Sequence, residues 1–238
     1  LRTDTTGDIT VDSISDNKTN LGLVNAFTDV SLAAANISVT DVVTLAQANT
    51  IHAYNTAVGT TVTLSSVSDA FSNVETLQGT AGVVMGGATI TTTTAEAVTK
   101  ANVTDLNNFT TAKVTVTSVQ DSRSNVSDIA AINNAQVDMG AAAVTITDAV
   151  TLAQANTDVG NLNSLTTGKV TLNSVEDTYD NIQSIKLISD AEVDMNAAAV
   201  KVTSVVDKTK VDDLRTDTTG DITVDSISDN KTNLGLVN

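Results

Sequence analysis

Three aspartates have the residue type and spacing best suited to chemistry in this sequence. Asp177, Asp207 and Asp229 each lie three residues after a serine, and each follows a short apolar segment. If those segments are adjacent parallel strands, the three carboxylates form a column with a spacing of roughly 5 Å. Carboxylate oxygens are ligands for Ca²⁺, so a bound calcium ion is one interpretation. The favoured interpretation is hydrogen bonding to backbone N–H groups at helix N-termini.

The sequence has few residues suited to catalysis or to other kinds of binding site. His52 is the only histidine and cysteine is absent, which leaves almost no material for a Ser-His-Asp triad or a histidine or thiolate metal site. The acid pairs Glu176/Asp177 and Asp212/Asp213 could assist glycoside cleavage, but residues adjacent in sequence rarely face one cleft. The stretch 79–87 lacks the spacing of a phosphate-binding loop. We therefore expect no enzyme activity and no cofactor.

One segment of the chain occurs twice without change. Leu1–Asn25 recurs as Leu214–Asn238, an offset of 213 residues. Recent tandem duplication within a longer parent explains identity over 25 positions. We expect residues 1–213 to be one long repeat, residues 214–238 to begin the next identical one, and the natural ends to lie outside this sequence.

Shorter repeats divide the long one. Ser-x-x-Asp tetrads recur at intervals of 53, 52, 56 and 52 residues, which marks four units of about 53 residues. Each unit splits into two coils of about 27 residues, a length typical of solenoid repeats. Nine strand-like segments mark the coils, and they begin at Ile9, Ile37, Val62, Ile90, Val114, Val144, Val170, Val200 and Ile222.

A residue that often caps helices stands four positions after each strand start. These residues are Ser13, Asp41, Ser66, Thr94, Ser118, Asp148, Ser174, Ser204 and Ser226. We interpret them as N-caps, because the apolar residues that follow, such as Val67, Phe71, Val74 and Leu77, have helical spacing.

These patterns predict an α/β solenoid for residues 1–238, with short parallel strands stacked from coil to coil and one capped helix per coil. A second short strand is expected in alternate coils at Val137 and Val193, and Thr-Thr-Gly turns such as Thr166–Gly168 close alternate coils. The alternative is a mostly-β solenoid in which the helices are irregular turns. Asn49, Asn102 and Asn156 are predicted to point inward as an asparagine ladder.

Composition limits the partners. The net charge is −16 with 12 Lys and Arg residues, which argues against nucleic acids and anionic membrane surfaces as partners. No run approaches 18 apolar residues, so we expect no membrane insertion. Coils bury their apolar surface mainly against neighbouring coils, so self-association end to end or laterally is expected.

The sequence resembles the repeats of giant tandem-repeat proteins at the cell surface of bacteria, including the cyanobacterial type linked to swimming. Residues 166–177 (TTGKVTLNSVED) and 193–200 (VDMNAAAV) carry the resemblance, which is one of style and period. It implies an extracellular or cell-surface location and a mechanical, adhesive or coat-forming role, and it transfers no site residues.

The expected function is therefore structural. We predict a repeat module of a very long extracellular or cell-surface protein that forms a rod, fibre or coat. The alternative is a ligand- or cation-binding repeat of a bacterial adhesin, which requires a patch of exposed aromatic residues or calcium ligands in every period. A polysaccharide-cleaving solenoid would need acids that break the repeat, and the acids here follow it.

Overall fold

The computed structural model describes residues 6–132, 136–155, 166–187 and 193–235. Within these residues the protein has an α/β fold with parallel strands in three sheets and nine helices. The predicted α/β class with parallel strands is confirmed, and the alternative in which the helices are irregular turns is wrong. The chain forms two compact bodies, one from residues 1–96, 101–116 and 133–138, the other from residues 97–100, 117–132 and 139–238.

The strands are short, and seven of the fifteen are followed by a helix of eight to ten residues. The strands are β1 (Ile9–Thr10), β2 (Ser13–Asp16), β3 (Val30–Ser31), β4 (Asn36–Val43), β5 (Val62–Asp69), β6 (Val83–Val84), β7 (Thr89–Thr92), β8 (Val114–Thr115), β9 (Ser118–Asp121), β10 (Val137–Asp138), β11 (Ala143–Val150), β12 (Val170–Asp177), β13 (Val193–Asp194), β14 (Ala199–Val206) and β15 (Ile222–Ile227). The helices are α1 (Lys18–Asn25), α2 (Leu45–His52), α3 (Phe71–Gly79), α4 (Lys100–Phe109), α5 (Arg123–Ala131), α6 (Leu152–Gln154), α7 (Tyr179–Lys186), α8 (Lys208–Asp217) and α9 (Lys231–Leu234).

Strand order along each main sheet follows strand order along the chain. In the first body the order is β2, β4, β5, β7, β8 and β10, and in the second it is β9, β11, β12, β14 and β15, with every pair parallel. Parallel neighbours need a crossover connection, and the helices supply it. We call each strand with its following helix a strand–helix unit.

All nine predicted strand starts lie in strands. The additional short strands predicted at Val137 and Val193 are confirmed as β10 and β13, and β6 is a third in the same role. Each pairs with the beginning of the strand that precedes it in its sheet. The fourth, β3, pairs with β1 as a separate two-stranded sheet.

The predicted helix starts are wrong by several residues. Ser66 and Val67 continue strand β5 and pair with Thr89 and Ile90, and the helix begins only at Phe71. The strand is longer because Ser66 to Asp69 pair with β7, and Val67 is fully buried there. Phe71, Val74 and Leu77 are buried on the helix as predicted.

Every second long strand contains a bulge at the predicted cap. The register of β4 against β5 shifts between Val39 and Val42, so Asp41 lies in the irregular segment. Asp148 in β11 and Ser204 in β14 occupy the same kind of position. Their helices begin four residues after the predicted cap, whereas the helix after Ser66 begins five residues after it. The residue that the helix buries is therefore one position closer to the predicted cap. Hence Ala48 is buried and Asn49 is exposed.

The asparagine ladder is therefore wrong where it can be checked. Asn49 is exposed and Asn102 is half-buried, while the neighbouring Ala48 and Val103 fill the core. Asn156 lies outside the described residues. None of the helices in the described part of the chain is long and apolar enough to cross a membrane.

Candidate functional site

Most helices carry a side-chain cap from within their own unit. Each of these N-cap side chains accepts a hydrogen bond from the backbone N–H three residues later, which satisfies one of the helix's free donors. The capping residues are Asn17, Thr44, Ser122, Thr151, Thr178, Asp207 and Asn230. The first N–H of each helix still needs an acceptor.

That acceptor comes from the next strand–helix unit. A side-chain oxygen 21 to 25 residues further along the chain accepts the N–H of the first or second helical residue, at 2.7 to 3.0 Å. We call these contacts the inter-unit hydrogen bonds. Their donor and acceptor pairs are Lys18–Asp41, Leu45–Asp69, Ser72–Glu96, Lys100–Asp121, Arg123–Asp148, Leu152–Asp177, Tyr179–Ser204 and Lys208–Asp229.

Carboxylates suit this position for an electrostatic reason. A helix N-terminus carries a partial positive charge, and an anion placed there is stabilised. All of these acceptors except Ser204 are Asp or Glu. Six of them lie at or just after the end of a strand, as do Asp69 and Asp177, or in a bulge, as do Asp41 and Asp148, while Glu96 lies in the turn between β7 and α4. Seven of the 28 acids of this chain thus join successive units.

The strand-end aspartates that bond to the helix of the preceding unit use both carboxylate oxygens. Asp69 Oδ2 accepts the Leu45 N–H at 2.9 Å, while Oδ1 accepts the Ala70 N–H and the Asn73 side-chain amide at 2.8 Å. The same Asp-x-x-x-Asn pair recurs as Asp16/Asn20, Asp121/Asn125, Asp177/Asn181 and Asp229/Asn233. This hydrogen-bonded pair was not predicted from the sequence. The constant spacing of four residues in all five tetrads was the signal that could have revealed it.

The hydrogen bonds lower the pKa of these carboxyl groups. Desolvation by burial raises the pKa of Asp69, but the Asn73 amide and the backbone N–H groups of Leu45 and Ala70 outweigh it, so the net pKa is below 3.8. The pKa values of Asp121 and Asp177 are lowered in the same balance. For Asp229 the backbone hydrogen bond from Lys208 is the leading cause of the lowered pKa.

The predicted column of three aspartates is wrong. Asp177 pairs in register with Val202, so it does not stand beside Asp207. Asp207 is the N-cap of α8, and Asp229 accepts the N–H of Lys208 in the same helix. The strand bulge in β14 separates the two positions that sequence spacing made equivalent. Within the described residues, no three His, Asp or Glu side chains form a group that could hold a metal ion.

Threonine turns form a second set of contacts between units. The buried Thr166 hydroxyl donates to the carbonyl oxygen of Ala142 at 2.6 Å and accepts the N–H of Gly168 at 2.8 Å. Thr218 makes the same contacts with Ala198 and Gly220, and Thr110 with Ala88 and Ala112. The predicted Thr-Thr-Gly turns at residues 166–168 and 218–220 are confirmed, and each joins its unit to the unit before it, while the turn predicted at residues 5–7 begins outside the described residues.

Side chains also link neighbouring helices. The Tyr179 hydroxyl donates to Asp213 Oδ2 at 3.0 Å, and the Lys210 ammonium lies 4.9 Å from the centre of the Tyr179 ring. Desolvation by burial and the hydrogen bond to Asp213 raise the pKa of Tyr179 to about 12. His52 ends helix α2, and a Cβ at Gly82 would lie 3.0 Å from its Nε2 atom. Tyr179 and His52 thus make contacts between neighbouring units.

Comparison with known proteins gives no relative. No protein-family model matches the chain, and neither a curated protein nor a solved structure is similar to it. Inference about function therefore depends on the residues and contacts described above.

Acid should weaken the inter-unit hydrogen bonds. A carboxyl group with a lowered folded-state pKa contributes stability above its ordinary pKa of 3.8, and this stability is lost as pH falls through the folded value. Between about pH 5 and 4, where acids with ordinary pKa values begin to protonate, reduced repulsion should raise the melting temperature. Below pH 3.8 the melting temperature should fall, which circular dichroism at stepped pH can measure. A melting temperature that keeps rising to pH 2.5 would contradict this role of the carboxylates.

Proposed function

We propose that this chain is a repeat of a very long structural protein, located outside the cell or at its surface, in which strand–helix units stack as one α/β solenoid. The inter-unit hydrogen bonds carry this proposal, because each described helix from α1 to α8 is held by the unit that follows it. The exact recurrence of 25 residues after 213 supports extension beyond one repeat.

A rod or fibre needs contacts that repeat from unit to unit, and three kinds recur within each of the two bodies. Parallel strands pair in chain order, small aliphatic side chains such as Val62, Leu64 and Val67 are buried in each layer, and carboxylates hold the helix N-termini. Stability in such an array is close to a sum over nearest-neighbour interfaces, so added repeats extend the molecule without a new core. The function of the repeats is then to set the length of the molecule.

The surface chemistry agrees with a structural role and gives no support to other partners. Several lysines are engaged in ion pairs with neighbouring acids, such as Lys18–Asp41 at 3.0 Å and Lys201–Glu176 at 2.7 Å. The excess of acids keeps a long repetitive molecule in solution through like-charge repulsion and disfavours nucleic acids as ligands. Contacts between repeats, end to end or side by side, should instead be made by the apolar faces that each unit buries against its neighbours.

Electron microscopy of tandem arrays tests the proposal. Arrays of two and four 213-residue repeats should be uniform rods that differ in length by roughly 76 Å, since eight coils at the strand spacing of about 4.8 Å span roughly 38 Å. Fibre diffraction of aligned arrays should show the strand spacing along the rod axis. Arrays that collapse into globular particles, or strands that run along the axis, would refute the solenoid.

A further inference from the structure

The identical segments 6–25 and 214–235 have their neighbouring units on opposite sides. Residues 6–25 are bonded on the side of the units that follow them, through β1 to β3 and β2 to β4. Residues 214–235 are bonded on the side of the unit that precedes them, through β15 to β14. Because the sequences are the same, the contacts that one segment makes are contacts that the other segment is able to make.

The preceding unit holds the second segment through a defined register. Ile222 pairs with Val200, Val224 with Val202 and Ile227 with Val206. The N–H and hydroxyl of Thr219 donate to the Asn196 carbonyl oxygen at 2.7 and 2.9 Å. Asp229 Oδ2 accepts the Lys208 N–H at 3.0 Å. Together, β14, the Asn196–Ala198 segment and the first turn of α8 form what we call the docking surface.

The same groups in the first segment are open. Ile9, Val11 and Ile14 are only half-buried, and so are their docked twins Ile222, Val224 and Ile227, because each segment has a neighbouring unit on one side only. The equivalent Val170, Leu172 and Val175 in an inner unit, which has neighbours on both sides, are at most 1% exposed. Asp16 Oδ1 bonds to Asn17 and Asn20 just as Asp229 Oδ1 bonds to Asn230 and Asn233. Asp16 Oδ2, the atom that would accept a helix N–H, has no hydrogen-bond partner among the described residues.

The opposite face shows the complementary difference. Leu21 is fully buried in the first segment, where another unit follows it, but the identical Leu234 is 43% exposed in the second. The cap of the helix is unchanged, since Asn17 and Asn230 have φ values of −71° and −72° and make the same bond. The cap is thus kept in both copies, whereas the strand is interrupted in the first copy (Ile9–Thr10 and Ser13–Asp16) and continuous in the second (Ile222–Ile227), where it pairs with β14.

We propose that the open face of residues 6–25 binds the docking surface of a second copy of this chain, in the register that residues 214–235 adopt there. The occupant is the same sequence, so the contacts and the charges are those already seen within one chain. This inference rests on the proposed function, because the contact is the junction between consecutive repeats. In the native chain the resident segment fills the docking surface, since tethering gives it a millimolar effective concentration.

Releasing the resident segment in the full chain tests this proposal. A Cβ at Gly220 would lie 2.6 Å from the Ala198 carbonyl carbon and 2.8 Å from the Ala197 oxygen. The Gly220→Val chain should therefore expose its docking surface, while residues 6–25 remain unchanged. At tens of micromolar, sedimentation velocity should detect head-to-tail oligomers with masses in multiples of 24.4 kDa, whereas the unaltered chain should sediment as a monomer because its docking surface is filled.

The repeat supplies a matched control, because Gly7 is the twin of Gly220. Gly7→Val should leave the chain monomeric, and the Gly7→Val/Gly220→Val double variant should also be monomeric because neither segment can dock. A peptide of residues 1–25 should dissolve the Gly220→Val oligomers by competing for the docking surface. Ile222→Asp with its twin Ile9→Asp makes the same comparison if the valine variant does not fold.

Two results would overturn the docking proposal: a folded Gly220→Val chain that remains a monomer, or oligomers that persist in the double variant. Neither result bears on the length of tandem arrays, so the structural role would stand. Arrays without the expected length increment would refute the solenoid even if Gly220→Val chains associate. The two proposals can therefore fail separately.

Discussion

Replacing Gly168 by alanine should destabilise the second body by about 3 kcal/mol, at the upper end of the usual cost of inserting atoms into a packed site. The added Cβ would lie 2.6 Å from the Ala142 carbonyl carbon and 2.8 Å from the Ala141 oxygen, and closer still to the Ala142 oxygen. These are backbone atoms, so no rotamer change relieves the overlap. The Thr166 hydrogen bond to Ala142 would be displaced with it.

Urea unfolding followed by circular dichroism measures this loss. Gly86→Ala is the matched control, because a Cβ there meets nothing within 4 Å, and its effect should stay within about 0.5 kcal/mol. The chain offers its own comparison at Ala112, which occupies the corresponding turn and faces the Gly86–Gly87–Ala88 segment. Equal effects of Gly168→Ala and Gly86→Ala would show that the turn does not bring the two units into close contact.

The strands could be predicted from sequence because their pattern is local and repeated. Alternating apolar residues such as Val62 and Leu64 must share one face of a strand, and nine recurrences make the choice of strand over helix secure. The buried face of each helix followed in the same way from Phe71, Val74 and Leu77. Both features depend only on residues close together in the chain.

The helix starts could not be predicted, because the serine of each tetrad suits both a helix N-cap and a strand. Ser66 is a good N-cap and an equally acceptable strand residue, and only the pairing of Ser66 and Val67 with Thr89 and Ile90 decides between them. The bulge at Asp41 is likewise set by pairing with the next unit. Sequence spacing alone therefore assigned Asp177 and Asp207 to one position, although their strands differ by a bulge.

The inter-unit hydrogen bonds depend on the same missing information. Asp69 bonds to a helix that begins 24 residues earlier, so its role appears only once the order and register of the strands are known. The residue type was informative, since a carboxylate near a predicted helix start suggests an acceptor. The identity of the donor was not, because the carboxylate serves the helix of the preceding unit as well as its own.

Replacing Asp69 by alanine should lower the free energy of unfolding by about 2–3 kcal/mol, since hydrogen bonds to charged groups are among the stronger ones. The change leaves the Leu45 and Ala70 N–H groups and the Asn73 amide without their acceptor. It also removes an anion from the N-terminus of α2. Asp105→Ala removes an exposed acid from the middle of α4 and should change stability by less than about 0.5 kcal/mol.

Asp69→Asn separates the bond between units from the bonds within a unit. An asparagine that keeps its oxygen toward Ala70 and Asn73 must turn its NH₂ group toward the Leu45 N–H, so two donors face each other and only the inter-unit hydrogen bond is lost. We expect a loss of about 1 kcal/mol, between the alanine variant and the control. Hydrogen exchange should then rise at Leu45 but not at Ala70. If exchange rises equally at both, the carboxylate stabilises its own unit alone, and the contacts between units must be sought in the strands and the threonine turns.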